Sequence, residues 1–464
     1  MTTYVEHVTE LCNDALTRYH DLEESASYYD ASHRLKAIGI AVPEPMRCLT
    51  AAIGWPRMYV DSIEERLDIE GFRLGDNMES IERLKQWWQA NDLDEESGLA
   101  HLDALVYGRS FVTVGSPGPG DPEGIPVIRV ESPLNMFVDV DPRTKLVTRA
   151  VRVYKNPNNE AEHWATLYLP NETVPLTFKN GNWQVDGDII KHNLGVVPVV
   201  PITNRERLSD RHGTSEITPE LRSFTDAASR VMMNMQAASE LMAVPQRVLF
   251  GVDANQLAPN GSPAEVLNSY LAQMLAFSET EGKVQQFQAA ELMNFVNVLQ
   301  ELAKHVASYT GLPPQYLSFS SENPASAEAI KSSEARLVKK AERKGRLFGG
   351  AWERVMRLAV LIMDGSVPPE MNLLEIVLRD PSTPTYASKA DAATKMYAAG
   401  QGVIPKEQAR IDMGYTAEQR AAMKDMDAED RDDLKKLADI LKPPAPTAPN
   451  SPGNTTRSTA GSSA

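Results

Sequence analysis

Between Glu216 and Ala243 the apolar residues fall on one seam. Leu221, Phe224, Ala228, Val231, Met235, Ala238 and Met242 recur at alternating spacings of three and four. A period of 3.5 keeps a stripe facing a neighbour packed nearly parallel to it. At 1.5 Å per residue the segment 216–243 would span about 42 Å, so it must lie alongside other long elements. Its remaining faces carry Ser223, Thr225, Ser229, Asn234 and Ser239, polar but uncharged, and Pro245 ends it.

Two further long helices follow. From Val284 to Tyr309 a stripe runs through Leu292, Val296, Leu299, Leu302, Val306 and Tyr309; Gly311 and Pro313-Pro314 then stop the helix. The third is expected over 324–363, with Asn323 as N-cap and Pro324 at the first helical position. Ile330, Leu337, Ala341, Phe348, Trp352, Val355, Leu358 and Ile362 carry its apolar pattern. Gly345, Gly349 and Gly350 predict a bend or a close approach, because glycine costs roughly 1 kcal/mol against alanine inside a helix. Between the first two helices, 244–283 should hold a strand at Gln246–Phe250 and a short helix after Ser262-Pro263.

Ahead of these helices the period changes. Residues 1–108 read as mostly helical, with Ile81, Leu84, Trp87 and Trp88 at helical spacing and breaks at Pro43 and Pro45. From Arg109 to Ile202 come short runs rich in β-branched and aromatic residues, separated by turn signals such as Asp141-Pro142 and Asn180-Gly181. They predict a meander-like antiparallel sheet, with a hairpin at Thr177–Trp183. The fold class is therefore α+β, with the sheet inserted between helical parts. Beyond Asp364 the chain should be irregular and then helical in pieces, Ser388–Ala399, Lys406–Met413 and Ala417–Leu441. Residues 442–464 are Pro, Ser, Thr, Gly and Ala, too poor in large apolar groups to order themselves.

Chemistry is sparse. No G-x-x-x-x-G-K-[ST] loop occurs, and the prolines of Gly115-Ser116-Pro117-Gly118-Pro119-Gly120 remove the N–H donors that a phosphate cradle needs. The eight histidines form no metal-ligand pattern, and His163 and His192 read as structural. His212-Gly213-Thr214-Ser215 lacks the nucleophile-elbow glycine pattern. The acidic run Asp425–Asp433 reads as a solvated face. Two cysteines, Cys12 and Cys48, make no disulfide framework and fit a reducing compartment. No basic n-region precedes an apolar run, and Val355–Met363 is too short for a span and carries Arg357. No membrane, cofactor, metal or catalytic site is implied; an intracellular enzyme with an unrecognised site stays as a minor alternative.

A net charge of −16 argues against a protein that grips a duplex by neutralising phosphates. Yet from Lys331 to Arg357 nine Lys and Arg stand against three Glu. Lys331, Arg336, Lys339, Lys340, Arg343, Lys344 and Arg346 cover more than one helix face. They serve either as a solvated or salt-bridged surface or as contacts to a passing phosphate backbone. The polar segment Gln315–Glu322 is either an ordinary surface loop or one that projects into whatever the two long helices surround.

The order of these parts resembles the portal proteins of tailed bacteriophages with long non-contractile tails, especially those infecting actinobacteria. Trp55-Pro56-Arg57-Met58-Tyr59-Val60-Asp61, Glu65-Arg66-Leu67 and Glu70-Gly71-Phe72 look like that family's opening. So do Trp88, Asn91, Leu93-Asp94 and Leu105-Val106-Tyr107-Gly108, then Phe137-Val138-Asp139-Val140-Asp141-Pro142, Gly311-Leu312-Pro313-Pro314 and 323–331, from Asn323 to Lys331. The resemblance covers about residues 30–365.

It implies a homo-oligomeric ring, usually of twelve, around a channel for double-stranded DNA, partnered by a terminase motor, a head–tail adaptor and a major capsid or scaffold protein. Residues 1–215 would be a helical and β wing region, 216–243 and 284–310 the two stem helices, and 244–283 the clip. Residues 311–323 would be the channel loop, 324–363 the long wing helix, 364–441 a crown-like helical region and 442–464 a disordered tail. Candidate channel contacts are then Gln315, Tyr316, Ser318, Ser320, Ser321, Lys331, Lys339, Lys340, Arg343 and Lys344, with the seam from Leu221 to Met242 packing the stem. Another minor head or head-completion protein is the alternative within the same class.

Overall fold

The structure, a computed structural model, describes residues 2–33, 51–75, 78–157, 159–243, 247–250, 274–277, 291–317, 327–382, 386–398, 401–415 and 417–441. The chain divides into two compact units, Met1–Ser382 and Thr383–Ala464.

The first unit opens with helix α1 (Thr2–Tyr29), followed by α2 (Trp55–Glu64), α3 (Met78–Ala90) and α4 (Leu93–Tyr107). The mostly helical expectation for this stretch holds, except that β1 (Ile69–Arg73) intervenes. A three-stranded antiparallel sheet of order β10-β2-β3 uses β2 (Arg109–Gly115), β3 (Val127–Glu131) and β10 (Val199–Thr203). Between β3 and β10 lies the expected meander, β4 (Met136–Val140), β5 (Val147–Asn156), β6 (Asn159–Tyr168), β7 (Glu172–Lys179) and β8 (Asn182–Val185), with β9 (Ile190–Lys191) also on β7. The region 109–202 is thus two sheets where the sequence suggested one. The β7–β8 hairpin turns on Asn180 and Gly181 at φ 53° and 82°, the left-handed pair that suits the twist of a two-residue hairpin.

One face of the meander is covered by the start of α1. Val8 and Leu11 pack on Val151, Ala165, Leu167, Val174 and Leu176. The main core lies elsewhere, where α2, α3 and α4 meet the long helix α7 (Ala327–Asp364). Its centre is aromatic. Trp352 is fully buried, edge-on to Trp88 at 5.1 Å, and donates from Nε1 to His101 Nε2 at 2.9 Å. His101 stacks on Phe348 at 5.1 Å. Burial holds the imidazole neutral, its pKa down at about 3.

Helix α7 runs unbroken through its glycines, and the reason is close packing. Strand β13 (Glu375–Leu378) pairs antiparallel with β1 and lies across α7. A Cβ at Gly345 would meet Leu378 Cδ1 at 2.6 Å. Residues 364–382, expected with the C-terminal helices, therefore belong to the first unit; Met371 and Leu374 are buried in its core.

Helix α5 (Pro219–Ala243) packs against α6 (Leu292–Thr310). The first starts three residues later than expected, with Pro219 at its first position and Thr218 Oγ1 accepting from Leu221 N at 3.4 Å. Strands β11 (Arg247–Phe250) and β12 (Met274–Phe277) pair in parallel. The helix expected after Ser262-Pro263, the N-cap at Asn323 and the tail 442–464 lie outside the described residues.

The second unit contains α8 (Tyr386–Tyr397), α9 (Lys406–Met413) and α10 (Ala417–Leu441), close to the three pieces expected there. Among its described residues Ala393 and Ala409 are the buried apolar ones. A mesh of charges links α9 and α10: Asp427 meets Lys406 and Arg410, while Glu407 meets Arg410, Arg420 and Lys424.

Candidate functional site

Three places on the first unit matter for the candidate residues: the α5–α6 pair, the turn after α6, and the basic face of α7.

On α5 the seam is only partly filled by the subunit itself. Leu221 and Ala228 are buried, whereas Phe224, Val231, Met235 and Ala238 are half-buried. The side chain of Met242 lies outside the described residues. The buried face instead runs through Leu221, Thr225, Ala228, Ser229, Met233 and Ala237, and α6, packed against α5, buries Ala303, Val306, Ala307 and Thr310. Thr225 and Thr310 each return their hydroxyl to the carbonyl four residues earlier, so neither is an orphan. Phe224 stacks on His305 at 6.1 Å. The far side of α6 leaves Met293 and Val298 exposed.

The turn after α6 is closed by α7 and by Arg66, two residues past α2. Gln315 is exposed and donates to Ser333 Oγ at 3.1 Å. Tyr316 is half-buried, its hydroxyl donating to Glu334 Oε1 at 3.0 Å and accepting from Arg66 Nη2 at 3.1 Å. Tyr316 thus ties the turn to Arg66 and to α7. Ser318, Ser320 and Ser321 lie outside the described residues.

The basic face of α7 divides in two. Lys344 is 2% exposed, and its ammonium meets Glu216, itself 3% exposed, and Asn204 Oδ1 at 2.5 Å. Lys340 Nζ lies 2.9 Å from the same Glu216, over the ring of Tyr59, whose hydroxyl donates to Glu216 Oε2 at 2.8 Å. Asn204 Nδ2 completes the set at 3.0 Å. Burial alone would raise the Glu216 carboxyl, but Lys340 and Lys344 together hold it down at about 2. A carboxylate with four donors is a buried ion knot, and it ties the approach to α5 onto α2 and α7. Lys344 is enclosed within the subunit, whereas Lys340 keeps 26% of its side chain exposed. Arg343 donates to the Glu206 carbonyl at 2.9 Å, and Arg336 to the Ser308 carbonyl at 2.7 Å near the end of α6. Lys331 and Lys339 remain at the surface, Lys339 in a pair with Glu342 at 2.7 Å.

Glu216, Tyr59 and Asn204 were not singled out in the sequence. The available signal was two lysines four apart, Lys340 and Lys344, on one helix face beside Ala341, Leu337 and Phe348. Cations so placed need a buried acid. Nothing local told which acid.

No chemistry stands out elsewhere. Among the described residues no group of His, Cys, Asp and Glu could hold a metal, and no helix is long and apolar enough to cross a membrane. Cys12 is half-buried and burial pushes its thiol up to about 11, so it is a poor nucleophile; Cys48 lies outside the described residues.

Comparison with known proteins adds the family. The chain is 54% identical over 442 residues to the portal protein of Mycobacterium phage L5, covering 94% of this chain and 90% of that one. It is 53% identical over 439 residues to the portal protein of Mycobacterium phage D29, covering 93% and 90%. Among solved structures, a chain of the virion of a native gene transfer agent particle aligns over 85% of this chain and 93% of its own, at 12% identity and a TM-score of 0.39. A chain from the neck of an empty particle of the same agent gives 13% and 0.39. A family model for phage portal proteins of the SPP1 Gp6-like type matches residues 10–436, and the chain belongs to that family.

Proposed function

We propose that the chain assembles into a closed ring, with twelve subunits expected, around a channel through which double-stranded DNA is packaged and ejected. The ring would sit at the capsid vertex of the virion after assembly in the host cytoplasm. It would meet a terminase motor, a head–tail adaptor and a major capsid or scaffold protein, and would catalyse nothing itself. In this reading α5 and α6 are the stem, 244–283 the clip, 311–323 the channel loop, α7 the wing helix and 383–441 the crown.

The observation that carries the reading is the α5 seam. Phe224, Val231, Met235 and Ala238 keep a heptad-like spacing yet are only half covered in the lone subunit. A stripe of that period suits a neighbour packed alongside, and identical copies packed head-to-tail by one rotation close into a ring. The net charge of −16, with Lys344 of α7 withdrawn into the subunit, supports a wall along which DNA slides rather than one that grips it.

Light scattering with negative-stain microscopy tests the assembly. Twelve chains of 51.2 kDa would weigh about 614 kDa and show a central hole; a compact dimer or tetramer would sink the reading. For the DNA contacts, the variant to make is Lys331→Glu with Lys339→Glu, which spares the Glu216 knot. Reduced packaging by intact rings is expected, and unchanged packaging would remove both lysines from the channel.

A further inference from the structure

Several arginines of the first unit pair with carboxylates. Arg222 meets Glu24, Arg149 meets Glu10 and Asp139, and Arg152 meets Glu131. One cluster departs from this. Arg18 on α1, Arg109 at the first position of β2, and Arg211 and His212 in the loop after β10 come together, and among the described residues none of these three arginines is in an ion pair. In a chain with 63 acidic against 47 basic residues, unpaired arginines gathered on one histidine call for a cause.

The contacts themselves are one acceptor short. Arg18 Nη2 lies 3.3 Å from His212 Nε2, and Arg109 Nη1 lies 3.3 Å from His212 Nδ1. A neutral imidazole offers one lone pair and one N–H, so one guanidinium can donate and the other faces a donor. Protonation would set both arginines against donors. The field agrees: burial, then Arg18, Arg109 and Arg211, push His212 down to about 4. Burial and Arg18 lower Arg109 to about 10. The carboxylate that opposes this on His212 is Asp139, which already holds Arg149 at 3.3 Å.

The donors are also fixed in place. Gly108 and Gly213, at φ 90° and 80°, pass so closely that a Cβ on Gly213 would strike the Gly108 carbonyl. Asn204 N donates to that carbonyl at 2.8 Å, and Thr214 N to the Asn204 carbonyl at 2.9 Å. The loop carrying His212 is therefore bolted to the start of β2, and Arg109 leans on the Phe111 ring at 5.4 Å.

We propose that Arg18, Arg109, Arg211 and His212 form a binding site for a single oxyanion, a phosphate or a carboxylate. An oxyanion between the guanidiniums accepts from both and from the imidazole N–H at once, giving charge-assisted bonds that the empty cluster cannot make. The anion is either a free phosphate-class ion or the side-chain carboxylate of a second copy of this chain.

Isothermal titration of the full-length chain with inorganic phosphate, at constant ionic strength against chloride, tests the site before and after ring assembly. One phosphate per chain is expected in the unassembled protein, weakened at least tenfold by Arg18→Gln or Arg109→Gln. Arg18 is exposed on its helix, so R18Q keeps the test usable should R109Q fold poorly. Equal uptake by the assembled form assigns the anion to solution. Uptake by the unassembled chain only assigns it to a neighbouring copy, and R18Q assemblies should then dissociate at lower salt. No saturable uptake by the unassembled wild type, or equal uptake by R18Q, overturns the proposal.

Discussion

The two units of this chain bury very different things. In the first, Trp88, His101, Phe348 and Trp352 interlock, and one carboxylate, Glu216, is enclosed with two lysines. In the second, the described residues bury two alanines, while Met396, Val403, Ile411 and Met426 stay exposed and charges bridge the helices at the surface. Enclosed groups feel little salt and a great deal of geometry; surface ion pairs feel the reverse. The first unit should therefore respond sharply to single atoms, and the second to the solvent.

The largest effect is expected at the ion knot. Lys344→Met leaves the buried Glu216 with Lys340 as its one cationic partner, and breaking a buried pair in this way costs about 3–5 kcal/mol. The double variant Lys344→Met with Glu216→Gln removes the two enclosed charges, leaves the partly exposed Lys340 to water, and should recover much of that loss, which urea unfolding of both proteins would show. Equal losses in single and double variants would mean that packing, not charge, holds this joint.

Acid should sharpen the contrast further. His101 is held down at about 3 against an ordinary 6.5, so the unfolded chain takes up the proton first. Its contribution is complete above pH 6.5 and is lost as pH falls towards 3, by up to about 1.4 kcal/mol per pH unit. Glu216, held at about 2 against 4.5, adds the same sign of loss below pH 4.5. Glu64 acts oppositely: burial first, then Asp68, Asp61 and Glu65, raise it to about 7, so its contribution fades as pH rises from 4.5 to 7. The wild-type curve mixes all three. The difference between wild type and His101→Gln, measured by urea midpoint at pH 7.5, 6 and 5, isolates the imidazole and should narrow as pH falls. A constant difference would show that His101 is not kept neutral by burial.

A smaller effect, about 1–3 kcal/mol, is expected for Gly345→Ala, whose new methyl meets Leu378. Leu378→Ala in the same chain should relieve part of it, and a lone G345A as stable as wild type would mean that β13 yields freely. This contact also marks where the sequence was legible and where it was not. The helix 324–363 and its glycines could be read from period and composition, because both are local. That a strand at 375–378 would cross it could not, since Glu375-Ile376-Val377-Leu378 is four residues long and its partner, Ile69–Arg73, lies some three hundred residues earlier. A separation of 128 residues likewise hid Glu216 from Lys344. Long helices, the β meander and the Asn180-Gly181 hairpin announce themselves through neighbours in sequence. The pairing of an acid with a base, and hence which α7 lysines remain outside, is decided only by tertiary contact. For that reason the basic helix gave two readings, and the enclosed Lys344 shows how tertiary contact bears on them.

The smallest single-residue effects belong to the second unit, where the response should come through salt. Glu407 meets Arg410, Arg420 and Lys424 at 3.9, 3.2 and 3.5 Å, all in partly exposed positions. Screening shortens from about 10 Å at 0.1 M salt to about 3 Å at 1 M, enough to weaken each of these pairs while leaving the Glu216 knot dry. Limited proteolysis within 386–441 should accelerate in 1 M sodium chloride, with the first unit resisting cleavage. Glu407→Gln should reproduce part of that acceleration at 0.1 M and blunt the further effect of salt, because the charge that salt screens is already gone. Cleavage that ignores salt would mean that the few buried contacts around Ala393 and Ala409 suffice, and that the two units differ in size of core rather than in kind of force.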